Sequence, residues 1–126
     1  MMAALLEGER YSAVLPVPLH RARLARRGFS QAELMASAVA ARIGAPLSDK
    51  IRAVRRTREQ VELSAGERRE NVAGAFKARG RLAGRVLLVD DVFTTGAPLS
   101  ECAGVLIRAG ADEVQDLTLG ARPDFV

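Results

Sequence analysis

"VLLVDDVFTTGAPLS", residues 86–100, is the stretch on which the fold turns. Val86, Leu87, Leu88 and Val89 form an unbroken apolar run, the pattern of a parallel strand covered on both faces. Burying four such side chains is worth roughly 6–12 kcal/mol before entropy costs. The run stops at Asp90 and Asp91, adjacent carboxylates whose repulsion stabilises nothing by itself. Thr94, Thr95, Gly96 and Ala97 follow, and Pro98 suits the first turn of a helix. A strand is therefore expected over 85–90. The helix beyond it runs to Ala109 and closes at Gly110, with Leu99, Cys102, Ala103 and Leu106 along one face.

Working outward, "EVQDLTL" (113–119) reads as a last strand. Upstream, "YSAVLPVPLH" (11–20) reads as a short buried strand that passes into a loop, because Pro16 and Pro18 lack a ladder N–H. "HRARLARRGF" is a basic loop or helical turn ended by Gly28. In "SQAELMASAVAARIG", Ser30 and Glu33 form a capping box. Leu34, Ala38, Ala41 or Val39 and Ile43 keep helical spacing, and Gly44 and Pro46 end the run. A brief strand is expected at 51–54. Residues 55–76 then read as a long mobile flap whose second part, Ser64 to Glu70, is helical; loops of this length in a small domain are usually functional. Strand–helix alternation predicts an α/β fold, a doubly wound and mostly parallel sheet in one domain over 1–126, with 1–10 as an N-terminal extension.

Composition narrows the function classes. An apolar fraction of 48% suits an ordinary soluble globular chain. Cys102 and His20 are each the only residue of their type, which excludes a disulfide framework and argues against a zinc site within the chain. A reducing cytoplasm is the expected compartment. The first residues have no basic segment ahead of an apolar one, so no signal peptide and no membrane partner are expected. The net charge of +4 is unevenly spread: residues 20–58 hold ten Lys or Arg against Glu33 and Asp49. Such a surface favours phosphates, pyrophosphate or nucleic acid, and a merely solvated Arg-rich face is the competing reading.

Ligands of open parallel sheets bind beyond the carboxyl ends of the strands. Asp90 and Asp91 stand there, suited to accept hydrogen bonds from a vicinal diol or to meet a magnesium ion through water. The turn Thr94–Thr95–Gly96–Ala97 leads into a helix N-terminus, where free N–H groups and hydroxyls make a phosphate nest. Gly96 permits close backbone approach. Diol acceptors beside a phosphate cradle describe a sugar-phosphate site. Neither GxxxxGK[ST] nor GxGxxG occurs. A phosphorelay receiver would need a Lys downstream of its acids, and none follows Lys77.

"VLLVDDVFTTGAP" resembles the phosphoribosyl-pyrophosphate (PRPP) motif of type I phosphoribosyltransferases. "VLPVPLHRARLARRGFSQAELMA" and "RTREQVELSAGERRENVAGAF" resemble the ComF/GntX family, competence-associated proteins with a phosphoribosyltransferase-like domain. The resemblance covers about residues 11–122. It implies PRPP and pyrophosphate as ligands, Mg²⁺ as cofactor, and an acceptor it leaves unidentified. It implies that Asp90 and Asp91 serve catalysis, holding the ribose hydroxyls directly or through Mg²⁺, and that Thr94, Thr95, Gly96, Ala97 and Pro98 bind the 5′-phosphate. Pro18, His20, Arg21 and Arg23, with Arg68 of the flap, are the pyrophosphate candidates. Pro98 stands where the family usually has Thr, so the nest lacks one N–H and one hydroxyl. Oxopurine-specific members carry an acid at the position of Thr94, Ser30 replaces a usual Asn, and the N-terminal zinc-binding Cys module of family members is not expected here. Two functions follow: a transferase releasing pyrophosphate, linked to competence and DNA uptake, or a non-catalytic PRPP sensor or nucleic-acid-uptake accessory. A homodimer is the family expectation.

Overall fold

A computed structural model describes residues 10–20, 24, 25, 28, 30–55, 57, 63–90 and 97–118. In chain order the elements are β1 (Ala13–Pro16), α1 (Gln31–Ile43), β2 (Ile51–Ala53), α2 (Ala65–Val72), β3 (Phe76–Ala78), β4 (Arg85–Asp90), α3 (Ala97–Arg108) and β5 (Glu113–Thr118). β1, β4 and β5 form a parallel sheet in the order β1-β4-β5, and β2 and β3 form a separate antiparallel hairpin.

The apolar run 86–89 does fill the central strand, and its alternate residues feed two layers. Val86 and Leu88, with Ala13 and Leu15 of β1, pack under Leu99, Cys102, Val105 and Leu106 of α3. Leu87 and Val89, with Val14, pack under Ala36, Val39 and Ala40 of α1. Helices on both faces of a parallel sheet are what a strand without polar alternation requires.

β1 shows how one residue limits a sheet. Val14 donates to the Pro46 carbonyl and accepts from the Ser48 N–H, both at 2.8 Å, giving a single parallel bridge to Leu47. In a parallel ladder residue 16 would donate toward the same neighbour, but Pro16 has no N–H to give, and the pairing stops. On the β4 side the ladder continues, with the Val17 N–H donating to the Val89 carbonyl at 2.8 Å.

α1 starts at Ser30, whose hydroxyl accepts from the Glu33 N–H at 3.2 Å, and ends at Gly44 in the left-handed conformation. Both limits agree with the sequence. Its inward face agrees in part: Val39 is buried and Ile43 packs against the same layer as expected, beside Ala32, Ala36 and Ala40, whereas Leu34 is 59% exposed and Ala38 and Ala41 face solvent. Small side chains let the helix approach the sheet closely, and the larger Leu34 is left outside.

Candidate functional site

Asp90 is the last residue of β4, half-buried and in register with Thr118 of β5. It continues the side of Val86 and Leu88, the α3 face. Burial pushes the Cys102 thiol well above its ordinary range, and the negative charge of Asp90, then of Glu101 and Asp116, adds to the rise. Partial desolvation also raises the Asp116 carboxyl.

α3 opens at Ala97, so Ala97 and Pro98 occupy its first turn at the same rim of the sheet. The chain leaving β1 reaches that rim beside Asp90, because Val17 still pairs with Val89. Pro18 and His20 follow, both half-buried, in the wall of an open cavity of about 1090 Å³. The His20 carbonyl accepts from the Leu24 N–H at 3.0 Å, and the Leu24 carbonyl from Gly28 at 2.8 Å. Gly28, at φ 84°, ends this helical turn as the sequence predicts.

Arg68 lies on α2, half-buried. α2 has a complete capping box, the Ser64 hydroxyl accepting from the Glu67 N–H at 3.2 Å and the Glu67 carboxylate accepting from the Ser64 N–H at 2.8 Å. Its far end is held twice. The Arg55 guanidinium donates to the Asn71 and Ala73 carbonyls at 2.8 and 2.7 Å, and the Gly74 N–H donates to the Glu101 carboxylate of α3 at 3.2 Å. The Val54 N–H donates to the Ala75 carbonyl at 2.7 Å, so the hairpin ties the two ends of the 55–76 segment together.

The fold thus brings Asp90, Pro18, His20 and the first turn of α3 to one rim, with Arg68 on the helix that flanks α3. Asp91, Thr94, Thr95, Gly96, Arg21 and Arg23 lie outside the described residues. The described wall of the cavity does not include Asp90; it extends from the loop after β1 toward the hairpin. There it is lined by Arg52, Lys77 and Arg79, three cations that sequence reasoning did not single out as a group. The signal was present as strict alternation in "KIRA" (50–53) and "FKAR" (76–79), but the pairing of two three-residue strands so far apart in the chain is not visible in one dimension.

No family model matches the chain. It is 38% identical over 108 residues to Competence protein F of Haemophilus influenzae, a match covering 82% of this chain and 47% of that protein. It is 39% identical over 104 residues to the DNA utilization protein YhgH of Salmonella typhi, covering 81% and 46%, and 36% identical to YhgH of Escherichia coli K12. The chain therefore spans about half the length of the curated relatives it matches. Among solved structures, the purine phosphoribosyltransferase from Pyrococcus horikoshii Ot3 superposes with a TM-score of 0.61 over 96% of this chain and 69% of that one, at 19% identity, a likeness of fold. By these matches the chain belongs to the ComF/GntX family of competence-associated proteins, and its domain has the type I phosphoribosyltransferase fold.

Proposed function

We propose that this domain binds PRPP and transfers its 5-phosphoribosyl group to an acceptor in the cytoplasm, in support of DNA use by the cell. The observation that carries the reading is the ending of the central buried strand in Asp90, at a rim shared with the loop after β1 and the first turn of α3. A carboxylate is a poor strand ending for stability and a good acceptor for ribose hydroxyls.

In this reading Asp90 and Asp91 orient the ribose, and their charge favours the positive carbon that develops at C1. The C1–oxygen bond breaks with its electron pair leaving on pyrophosphate, and the acceptor nucleophile forms the new bond to C1. Thr94, Thr95, Gly96 and Ala97 hold the 5′-phosphate, and Pro98 contributes no N–H. Pro18, His20, Arg21 and Arg23 face the leaving group. The 55–76 flap, carrying Arg68, excludes water when closed. Magnesium takes one or two carboxylates plus substrate phosphates, and does not depend on a protein cage of the kind that no group of His, Cys, Asp and Glu forms among the described residues. The hard oxygens of Asp90 and Asp91 fit it, and bound Mg²⁺ would neutralise charge on pyrophosphate.

The test is thermal stabilisation by PRPP with and without Mg²⁺. At 100 times the dissociation constant PRPP adds about 2.7 kcal/mol to the wild type, and Asp90→Asn/Asp91→Asn removes most of that gain. A wild type that PRPP does not stabilise would sink the proposal. A second reading, a PRPP sensor or DNA-uptake accessory without turnover, is favoured by Pro98, since a missing hydrogen bond to a charged group is worth roughly 1.5–3 kcal/mol. PRPP stabilisation with no pyrophosphate release across a panel of bases selects that reading.

A further inference from the structure

The β2–β3 hairpin has two unlike faces. Ile51 and Phe76 point into the core, and Ala53 and Ala78 pack against it. The period of two sends Lys50, Arg52, Lys77 and Arg79 to the opposite face, and all four are exposed. Arg52 is in register with Lys77. The Arg79 N–H donates to the Lys50 carbonyl at 2.7 Å, which carries the pairing one step further. The result is two cross-strand pairs of cationic residues, their Cα atoms at the corners of a rectangle of about 5.5 Å across the strands and about 6.8 Å along them, with the Lys50 ammonium also donating to the Arg81 carbonyl at 2.9 Å.

Like charges directly opposite destabilise a hairpin, so the array costs stability that a polar or mixed-charge face would not. Asp49 offsets it in part, 3.6 Å from the Arg79 guanidinium with both groups largely exposed. Arg52, Lys77 and Arg79 also form one wall of the open cavity beside the loop after β1. An extended array at the mouth of an open cavity suits a linear polyanion that passes along it better than a compact ion held at one point.

We infer that the cationic face of the β2–β3 hairpin is a docking surface for the phosphodiester backbone of nucleic acid. The inference deepens the DNA-linked part of the proposed function and does not depend on PRPP binding. Among the described residues Tyr11 and Phe76 are buried, and the outward side chains of the strand pair are Lys50, Arg52, Lys77 and Arg79, so contact with them is ionic. Binding here therefore reads charge and not sequence, and it weakens steeply with salt.

Fluorescence anisotropy of a labelled 20-nucleotide oligodeoxythymidine, titrated at several NaCl concentrations, tests it. Each phosphate contact contributes about 0.7 to the slope of log affinity against log salt for a single strand. Arg52→Gln/Lys77→Gln should lower that slope by about 1.4 and weaken binding at least about tenfold at low salt. Arg42→Gln/Arg108→Gln makes the same change in net charge on the two helices and should leave binding close to wild type. Thermal melting confirms folding; relief of the like-charge pair predicts an unchanged or raised Tm. Equal losses in both double variants would reduce the effect to net charge and overturn the inference. So would unchanged oligonucleotide binding in Arg52→Gln/Lys77→Gln, with or without a loss of PRPP stabilisation. Asp90→Asn should keep oligonucleotide binding, so failure of the PRPP reading and failure of this one are separate results.

Discussion

Cys102 shows how far a single side chain's surroundings determine its chemistry. It is fully buried between α3 and the sheet, and burial with the nearby charges of Asp90, Glu101 and Asp116 keeps it protonated. The thiolate is the reactive form. Native protein at pH 8 should therefore resist 5,5′-dithiobis(2-nitrobenzoate), reacting only as fast as the chain unfolds and immediately in denaturant; rapid labelling of the native state would contradict this placement. Asp116 gives a second check, with the opposite sense from most paired carboxylates. Its carboxyl lies above the ordinary aspartate value because charging it is opposed by desolvation. Folding therefore favours its protonated form, so its penalty is absent below the unfolded value near about 4 and grows as pH rises through the folded one. Asp116→Asn should melt slightly higher than wild type at pH 7, with the difference vanishing near pH 3. A mutant that melts lower at pH 7 would reverse the assigned sign.

At the scale of elements, the connections are as specific as the core. Gly110 follows α3 at φ 121°, and a Cβ there would stand 2.4 Å from the Leu82 carbonyl oxygen, backbone that cannot swing aside. Gly110→Ala should cost more than about 2 kcal/mol in urea denaturation, strain and clash adding together. Leu34 on α1 is the contrasting case: being 59% exposed, Leu34→Lys should change stability by no more than about 0.5 kcal/mol. The sequence pattern had assigned Leu34 inward. The reason for the error is physical, because α1 buries alanines, whose low apolar contrast lets one large leucine dominate the apparent period. β4, the limits of α1, and the start of α3 were legible because each carries a local signal: a continuous apolar run, Ser30 with Gly44, and Pro98. β3 was not, since a three-residue strand becomes one only through its partner β2. The candidate site was legible to the same degree. Asp90 announced itself beside a strand, whereas Arg52 and Lys77 meet only once the hairpin closes.

For the whole molecule, two anion-facing regions lie side by side along one edge, and Pro18 and His20 of the first line the same cavity as Arg52, Lys77 and Arg79 of the second. Asp90 and the first turn of α3 stand over β4, near the middle of the sheet. The cationic hairpin stands beyond β1, with the open cavity between the loop after β1 and its strands. β1 and β4 are tied by a parallel ladder and share both apolar layers, so they belong to the most cooperative part of the fold. The hairpin contacts that core through one face only. Ligands at the two regions should then leave different traces in amide hydrogen exchange. PRPP with Mg²⁺ should slow exchange at the carboxyl end of β4, at Val17 and in the first turn of α3, and change the β2–β3 ladder little. An oligonucleotide should slow exchange at residues 50–53 and 76–79 and leave Val89 and Asp90 as they were. Protection of one common set of amides by both ligands would merge the regions into a single binding surface. Protection confined to each region's own strands would establish a domain that holds a sugar phosphate at the sheet's centre and a nucleic-acid backbone at its margin.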